Sequence, residues 1–401
     1  MDKIRNYIEY AIAGLVVFDC NTIYLELFPK TPVLLASIIL FVLLALFSLT
    51  KRKQSYISPV RTLIFVCFYI AYMAIMLLYM DYTRLSGYLY RMMFIIPIFI
   101  VYFSTFDSHE NQRYSLFFKF SQVMSFLAAI SLIMWLCASI LGLISPSSSV
   151  FIEWLTGGFA KTEVNSYYHI YYETQQTDIF SLGIIRNTGV FLESPMYSFC
   201  LCFALLIELF LKEKKRKWCV VLLFITIMTT ISVTGYVCLM LILIFFFFLR
   251  RGYGEKNIIL RLFRFTVFVL LTFVFVNIFN SLMEEKKKER ISYEEREDNA
   301  KSVIDVWKSS PLFGAGYERN ISNSSNSIFV LLADGGVYLF VIYFYAFCVF
   351  PYMVFLKNRD NRLLVMFFIL FIIFCVTVVL YRMLILMLIG FAFSGLCRKA
   401  K

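Results

Sequence analysis

Apolar runs of membrane-crossing length recur along almost the whole chain, separated by short charged stretches. A helix needs roughly 20 apolar residues to cross a bilayer. The runs predict twelve spans, near 7–26, 33–50, 62–80, 92–106, 116–144, 196–211, 218–231, 235–249, 265–283, 327–356, 363–380 and 383–397. The expected fold class is an all-α polytopic membrane protein, with 1–401 forming one integral membrane domain. The first run carries Glu9 and Asp19 and shows no small-residue cleavage site. It predicts a retained helix rather than a signal peptide.

Two long polar segments interrupt this pattern, 145–195 and 284–326, and both fall on the same side. The loops on the other side are short and basic: "KRK" at 51–53, "KEKKRK" at 212–217 and "RR" at 250–251. Basic short loops stay in the cytoplasm, and long translocated loops are largely exempt from that rule. Both termini are therefore expected inside and both long loops outside. All outer segments, short connections included, hold only 14 of the 38 Lys and Arg, eight of them in 284–326. The net charge of +12 thus orients the chain and gives no reason to expect a nucleic-acid partner.

Composition narrows the chemistry further. The ten cysteines sit inside or at the ends of apolar runs, without metal-ligand spacing, and the two histidines, His109 and His169, stand far apart. A zinc site is not expected; the chemistry is metal-free or uses a metal held by oxygens. No internal repeat is visible, which argues against a secondary transporter.

Each outer loop carries candidate residues and is expected to hold short amphipathic helices. The first contains the aromatic cluster "SYYHIYY" at 166–172 and closes on "IIRNTGVFLESPMYS" at 184–198. Ser194 followed by Pro195 reads as an N-cap and first helical position, placing Arg186 and Glu193 at a helix mouth. In the second, Ser292 and Glu295 form a capping box, and the helix must end before Pro311. Ala300, Val303 and Trp307 share one stripe of it with Arg296, and Lys301 and Lys308 face away. "FGAGY" at 313–317 lacks the GK[ST] of a phosphate loop, so Gly314 and Gly316 read as a tight turn with positive φ. Asp334, in "LLADGG", is an intramembrane carboxylate for which an arginine is the expected partner. The tyrosines at 167–172, Tyr168 among them, could meet sugar rings or belong to the interfacial aromatic belt, and His169 could serve as a base or as a packing residue.

Together these residues resemble the Wzy-type O-antigen and capsular polysaccharide polymerases, a family similar in fold to the O-antigen ligases. An Arg, a Gly and an acidic residue close to a Pro that opens a helix resemble Arg186, Gly189, Glu193 and Pro195. "SVTG" at 232–235 resembles the family's helix-ending turn, without its arginine. Arg296, "PLFGAG" at 311–316 and "SN" at 325–326 resemble its last outer loop. Ser325 stands where ligases typically have His, which favours the polymerase branch. The resemblance implies a cofactor-independent glycosyltransferase of the bacterial cytoplasmic membrane. It would join undecaprenyl-diphosphate-linked oligosaccharide repeats on the outer face, in some cases with a chain-length regulator as partner. Arg186 and Arg296 would hold the diphosphate and Glu193 would take the acceptor's proton. Arg319, Arg382, Tyr168, His169, Gly314, Gly316, Asn326 and Asp334 are the implied substrate-binding set. A ligase and a flippase of lipid-linked sugars are the competing readings.

Overall fold

The computed structural model describes residues 2–51, 59–79, 84–106, 110–153, 161–179, 182–248, 290–320, 326–359, 361–375 and 377–397. Among these, six helices are long and apolar enough to cross a membrane: Lys30–Ser48, Val60–Tyr79, Leu85–Ser104, Ser115–Ile140, Ser194–Leu211 and Ser327–Asn358. Shorter apolar helices span Lys217–Thr229, Val233–Phe246, Arg362–Phe374 and Met383–Ser394. A helix at Asp2–Asp19 covers most of the first expected span, while the ninth, 265–283, lies outside the described residues. The chain divides into two compact units. One comprises chiefly Met1–Val123 and Arg296–Lys401, the other Met124–Trp154 and Phe159–Glu295.

In the first unit, Met383–Ser394 lies along Ile96–Ser104. The approach is close because Gly390 has no side chain: a Cβ there would sit 2.4 Å from Phe99 Cβ. Phe103, Phe117 and Phe391 close the core with ring centroids 5.1–5.5 Å apart. Leu85–Ser104 widens to i→i+5 turns over Leu89–Ile95, around Arg91. Such wide turns are frequent at functional sites.

The long helix from Ser327 opens on Asn326, whose side-chain oxygen accepts from the backbone N–H of Ile328 (2.9 Å) and Phe329 (3.3 Å). It is broken at Gly336, within its apolar length, where φ is 58° and ψ is −161°. The freed backbone groups pair with the turn after Pro311. Ala315 N–H donates to Ala333 O (2.7 Å) and Gly316 N–H to Asp334 O (3.1 Å), while Val337 N–H donates to Pro311 O (2.9 Å) and Tyr338 N–H to Leu312 O (3.0 Å). Irregular backbone at this depth needs such partners. Removing the cap by Asn326→Ala should cost about 1 kcal/mol, read as a small fall in the thermal midpoint of the detergent-solubilised protein.

In the second unit, Ser194–Leu211 packs against Lys217–Thr229 and Val233–Phe248. Gly235, the end of the "SVTG" motif, permits the contact, since a Cβ there would lie 2.6 Å from Ser198 Cβ. The first outer loop departs from expectation: among its described residues it forms strands in place of short helices. β1 (Ser148–Glu153), β2 (Lys161–Tyr167) and β3 (Tyr171–Glu173) make an antiparallel sheet in that order, and β4 (Gln176–Ile179) pairs with β5 (Leu182–Ile185). The cause is a period of two. Val150, Ile152, Val164 and Ser166 are buried while Phe151, Glu163 and Asn165 are exposed. In the second loop the expected helix is present as Arg290–Ser309 and stops before Pro311, but it begins two residues before Ser292, so Ser292 lies within it and not at its N-cap. Val303 is buried, Ala300 and Trp307 are half-buried, and Lys301 and Lys308 are exposed.

Candidate functional site

The sequence-derived candidates fall into both units, and each group has its own setting. In the second unit, Arg186 follows β5, held by its backbone N–H on Gln175 O at 2.9 Å. Its guanidinium donates to Thr177 Oγ1 (2.9 Å) and Ser194 Oγ (3.5 Å). Gly189, at φ 58°, turns the chain under Tyr197, whose ring carbons would lie 3.3 Å from a Cβ at that position. The helix start is one residue earlier than the sequence suggests. Glu193 takes the N-cap position, Ser194 is the first helical residue and Pro195 the second. The reason is a cap supplied from elsewhere: Gln175 Oε1 accepts the Ser194 N–H at 3.0 Å. The Ser194 hydroxyl is thereby left to accept from Arg186. Glu193 is half-buried beside this arginine-bearing turn.

Of the aromatic cluster, Tyr167, Tyr171 and Tyr172 are buried, and the first two pack with Met134 and Ala138. Tyr171 and Tyr167 also anchor polar partners, Ser139 Oγ (2.8 Å) and Glu173 Oε1 (3.0 Å) respectively. Tyr168 and His169 form the tip of the β2–β3 hairpin, both with positive φ (53° and 57°) and both exposed. His169 Nδ1 lies 3.4 Å from the hydroxyls of Ser166 and Tyr172.

In the first unit the turn from Ser310 to Asn320 is fixed along its length. Gly314 and Gly316 both have positive φ (69° and 131°), and a Cβ on Gly314 would lie 2.5 Å from the Asp334 carbonyl carbon. Asp334 is fully buried but its partner is not the arginine expected. Its Oδ1 accepts from the backbone and side-chain N–H groups of Asn320 (both 2.9 Å), and its Oδ2 from Tyr381 Oη (2.9 Å). Neutral donors suffice because they satisfy the carboxylate without a second buried charge. Arg319 points away and caps its own turn, donating to Ala315 O at 3.0 Å. Arg296 lies in the helix Arg290–Ser309, but its side chain lies outside the described residues, as does Ser325.

Next to this turn is a cavity of about 320 Å³ that the sequence did not signal. Leu15, Phe18, Phe28, Val33 and Leu34 form an apolar wall, and Lys30, Arg84, Arg91, Asp19 and Glu318 a charged one. Arg91 joins the two acids, 3.7 Å from Asp19 and paired more closely with Glu318. Arg84 reaches the other Glu318 oxygen at 3.5 Å. Arg382, a sequence-derived candidate, braces the back of this cluster by donating to Asp19 O (3.0 Å) and Asn21 Oδ1 (3.3 Å). Tyr317 is buried beside Arg91, and burial drives its phenol pKa well above the ordinary range. It therefore remains a neutral phenol.

Residues 218–344 match the family model described as O-antigen ligase. That segment is O-antigen ligase-like. No curated protein and no solved structure matches the chain. The ligase-like segment contains the turn, Glu318, the N-cap Asn326 and the helix break at Gly336; Arg186, Glu193, Arg91 and Arg382 lie outside it. With its membrane-length helices, the chain is a multi-pass membrane protein whose residues 218–344 are similar to the O-antigen ligase family.

Two signals for the missed residues were present. Arg91 directly precedes the expected span 92–106, and an ionisable residue in a membrane helix is a functional pointer by default. Glu318 immediately follows the glycine turn. Tyr381 and Asn320 gave none, because their importance comes only from meeting Asp334.

Proposed function

We propose that the protein is a polysaccharide polymerase. It joins undecaprenyl-diphosphate-linked oligosaccharide repeat units on the outer face of the bacterial cytoplasmic membrane. The observation that carries this reading is the ligase-like segment 218–344, in which no histidine occurs. A ligase-type histidine mechanism has no residue to use there, whereas a diphosphate leaving group needs charge stabilisation and no proton.

The chemistry follows from that leaving group. A hydroxyl of the acceptor sugar attacks the anomeric carbon of the lipid-linked chain. The bond from that carbon to the diphosphate oxygen breaks, and its electron pair departs with the diphosphate. Arg186 and Arg296 hold the diphosphate through planar, permanently charged forks. Glu193 accepts the acceptor hydroxyl's proton and passes it to solvent. Tyr168 and His169, exposed on their hairpin, meet the glycan. Arg186→Lys and Arg296→Lys keep the charge and lose the fork, so each should lower polymerisation about 10- to 100-fold. Radiolabelled repeat units run on a gel measure this; full activity in both variants refutes the clamp.

The second reading is a ligase that moves finished glycan to another acceptor, and the description of the matching family favours it. Deleting the gene in its host decides between the two. Loss of the ladder of long chains, with single repeats still reaching their anchor, supports the polymerase. Polymer stranded on its lipid carrier supports the ligase, and repeats held on the inner face support a flippase.

A further inference from the structure

We infer that the cavity between Phe18, Phe28, Arg84, Arg91 and Glu318 is the seat of the acceptor sugar, with Glu318 as its principal hydrogen-bond acceptor. This rests on the polymerase reading and adds a site to it. Four observations carry it.

Glu318 has a left-handed backbone, φ 57°, rare for a residue with a side chain. Such strain survives only where the surroundings over-determine it. Here they do: Gly316 N–H is bonded to Asp334 O on one side (3.1 Å), and Asn320 to the Asp334 carboxylate on the other (2.9 Å). The strained residue is thus pinned at both flanks, and its carboxylate is delivered to a cavity wall with only 5% of the side chain exposed.

The two Glu318 oxygens are unequal. Oε1 pairs closely with Arg91, whereas among the described residues Oε2 meets Arg84 at 3.5 Å, an arginine that is 69% exposed. Oε2 is consequently the atom with capacity for a hydroxyl donor, and an acceptor–hydroxyl bond to a carboxylate is charge-assisted. Gly87 keeps that approach open. A Cβ there would come 3.6 Å from Oε2.

The lining carries two carboxylates beside its cations Lys30, Arg84 and Arg91. Arg91 is already engaged by both Asp19 and Glu318, and those two carboxylates would face any phosphate placed beside them. A neutral polyol finds acceptors in Glu318 and Asp19 and a donor in Arg84. Finally, the lining includes aromatic rings. Phe18, Tyr24 and Phe28 lie with ring centroids 5.9–6.4 Å apart, and Phe18 and Phe28 line the cavity. A pyranose has both surfaces, hydroxyls at its edge and C–H groups on its face, and fits a mostly apolar pocket with few directed polar groups.

The test uses full-length protein in nanodiscs. The donor is the lipid-linked repeat unit extracted from the host's deletion strain, and the acceptor is the same repeat released from its lipid by mild acid. Glu318→Gln should raise the KM for the free oligosaccharide about 10- to 100-fold, with kcat falling less. Gly87→Met, which fills the space before Oε2 without altering charge, should raise it likewise and abolish oligosaccharide binding seen by saturation-transfer NMR. Thermal melting of Gly87→Met establishes that it is folded. Unchanged KM and unchanged binding in a folded Gly87→Met overturn the assignment. So does displacement of the oligosaccharide by farnesyl diphosphate, which would make the cavity a lipid site. If wild type consumes no donor yet its oligosaccharide binding is lost in Gly87→Met, the cavity stands and the polymerase reading falls.

Discussion

Replacing Gly336 by Ala should destabilise the protein by at least about 4 kcal/mol, enough to lose most of the folded yield. Its backbone, φ 58° and ψ −161°, lies in a region nearly closed to other residues, costing about 1–3 kcal/mol. A Cβ would also sit 2.3 Å from Leu312 O, which is backbone and cannot turn aside. Relieving the clash pulls Leu312 away and weakens the bonds from Val337 to Pro311 O (2.9 Å) and from Tyr338 to Leu312 O (3.0 Å). Each is worth about 1 kcal/mol in water and more where no water can substitute. Gly142 is the control. Its φ is 62°, but a Cβ there meets nothing within 4 Å, so Gly142→Ala should cost only about 1–2 kcal/mol. Size-exclusion profiles and thermal midpoints of the two variants in one detergent measure the difference. Equal behaviour would show that the turn and the broken helix are not locked together.

Arg91→Met should be nearly as damaging, at roughly 3–5 kcal/mol, the cost of removing one partner from a buried ion pair. The arginine is 23% exposed, and its carboxylates Asp19 and Glu318 are 8% and 5% exposed. Without it two acids face one cavity with Lys30, Arg84 and Arg382 as the remaining cations among the described residues. The loss is mainly the penalty of stranded charge, so a second change that removes charge should return part of it. Arg91→Met with Glu318→Gln should be more stable than Arg91→Met alone, and a double-mutant cycle of thermal midpoints measures the coupling. Additive losses would mean that Arg91 and Glu318 do not stabilise one another.

The helical architecture was legible because hydrocarbon solvent imposes it: long apolar runs with basic ends leave the chain few options. The end of Arg290–Ser309 before Pro311 and the positive φ of the glycine turn were equally local, and so readable. The strands of the first loop were readable in principle. Val150 and Ile152 alternate with Ser149 and Phe151, but Phe151 is itself apolar and blurs that period. The shifted helix start at Glu193 was not readable, since Gln175 reaches it from a different element. Asp334 shows the limit most sharply. Its cost inside the membrane was evident from sequence, yet Asn320 and Tyr381, 14 and 47 residues away, could be recognised only once folded. The charged cavity was invisible for the same reason. Asp19, Arg91 and Glu318 come from three distant segments, and no spacing rule joins them.

The break at Gly336 also bears on how the chain is built into its membrane. An unbroken helix satisfies its own backbone and can enter lipid alone, whereas this one carries open carbonyls at Ala333 and Asp334 until Ala315 and Gly316 reach them. The partner residues are made first, 18 positions before the carbonyls they meet. Biogenesis therefore has an order written into it: the turn must be delivered before its span is released to lipid, and a pause between the two would hold a half-finished helix at the insertion machinery.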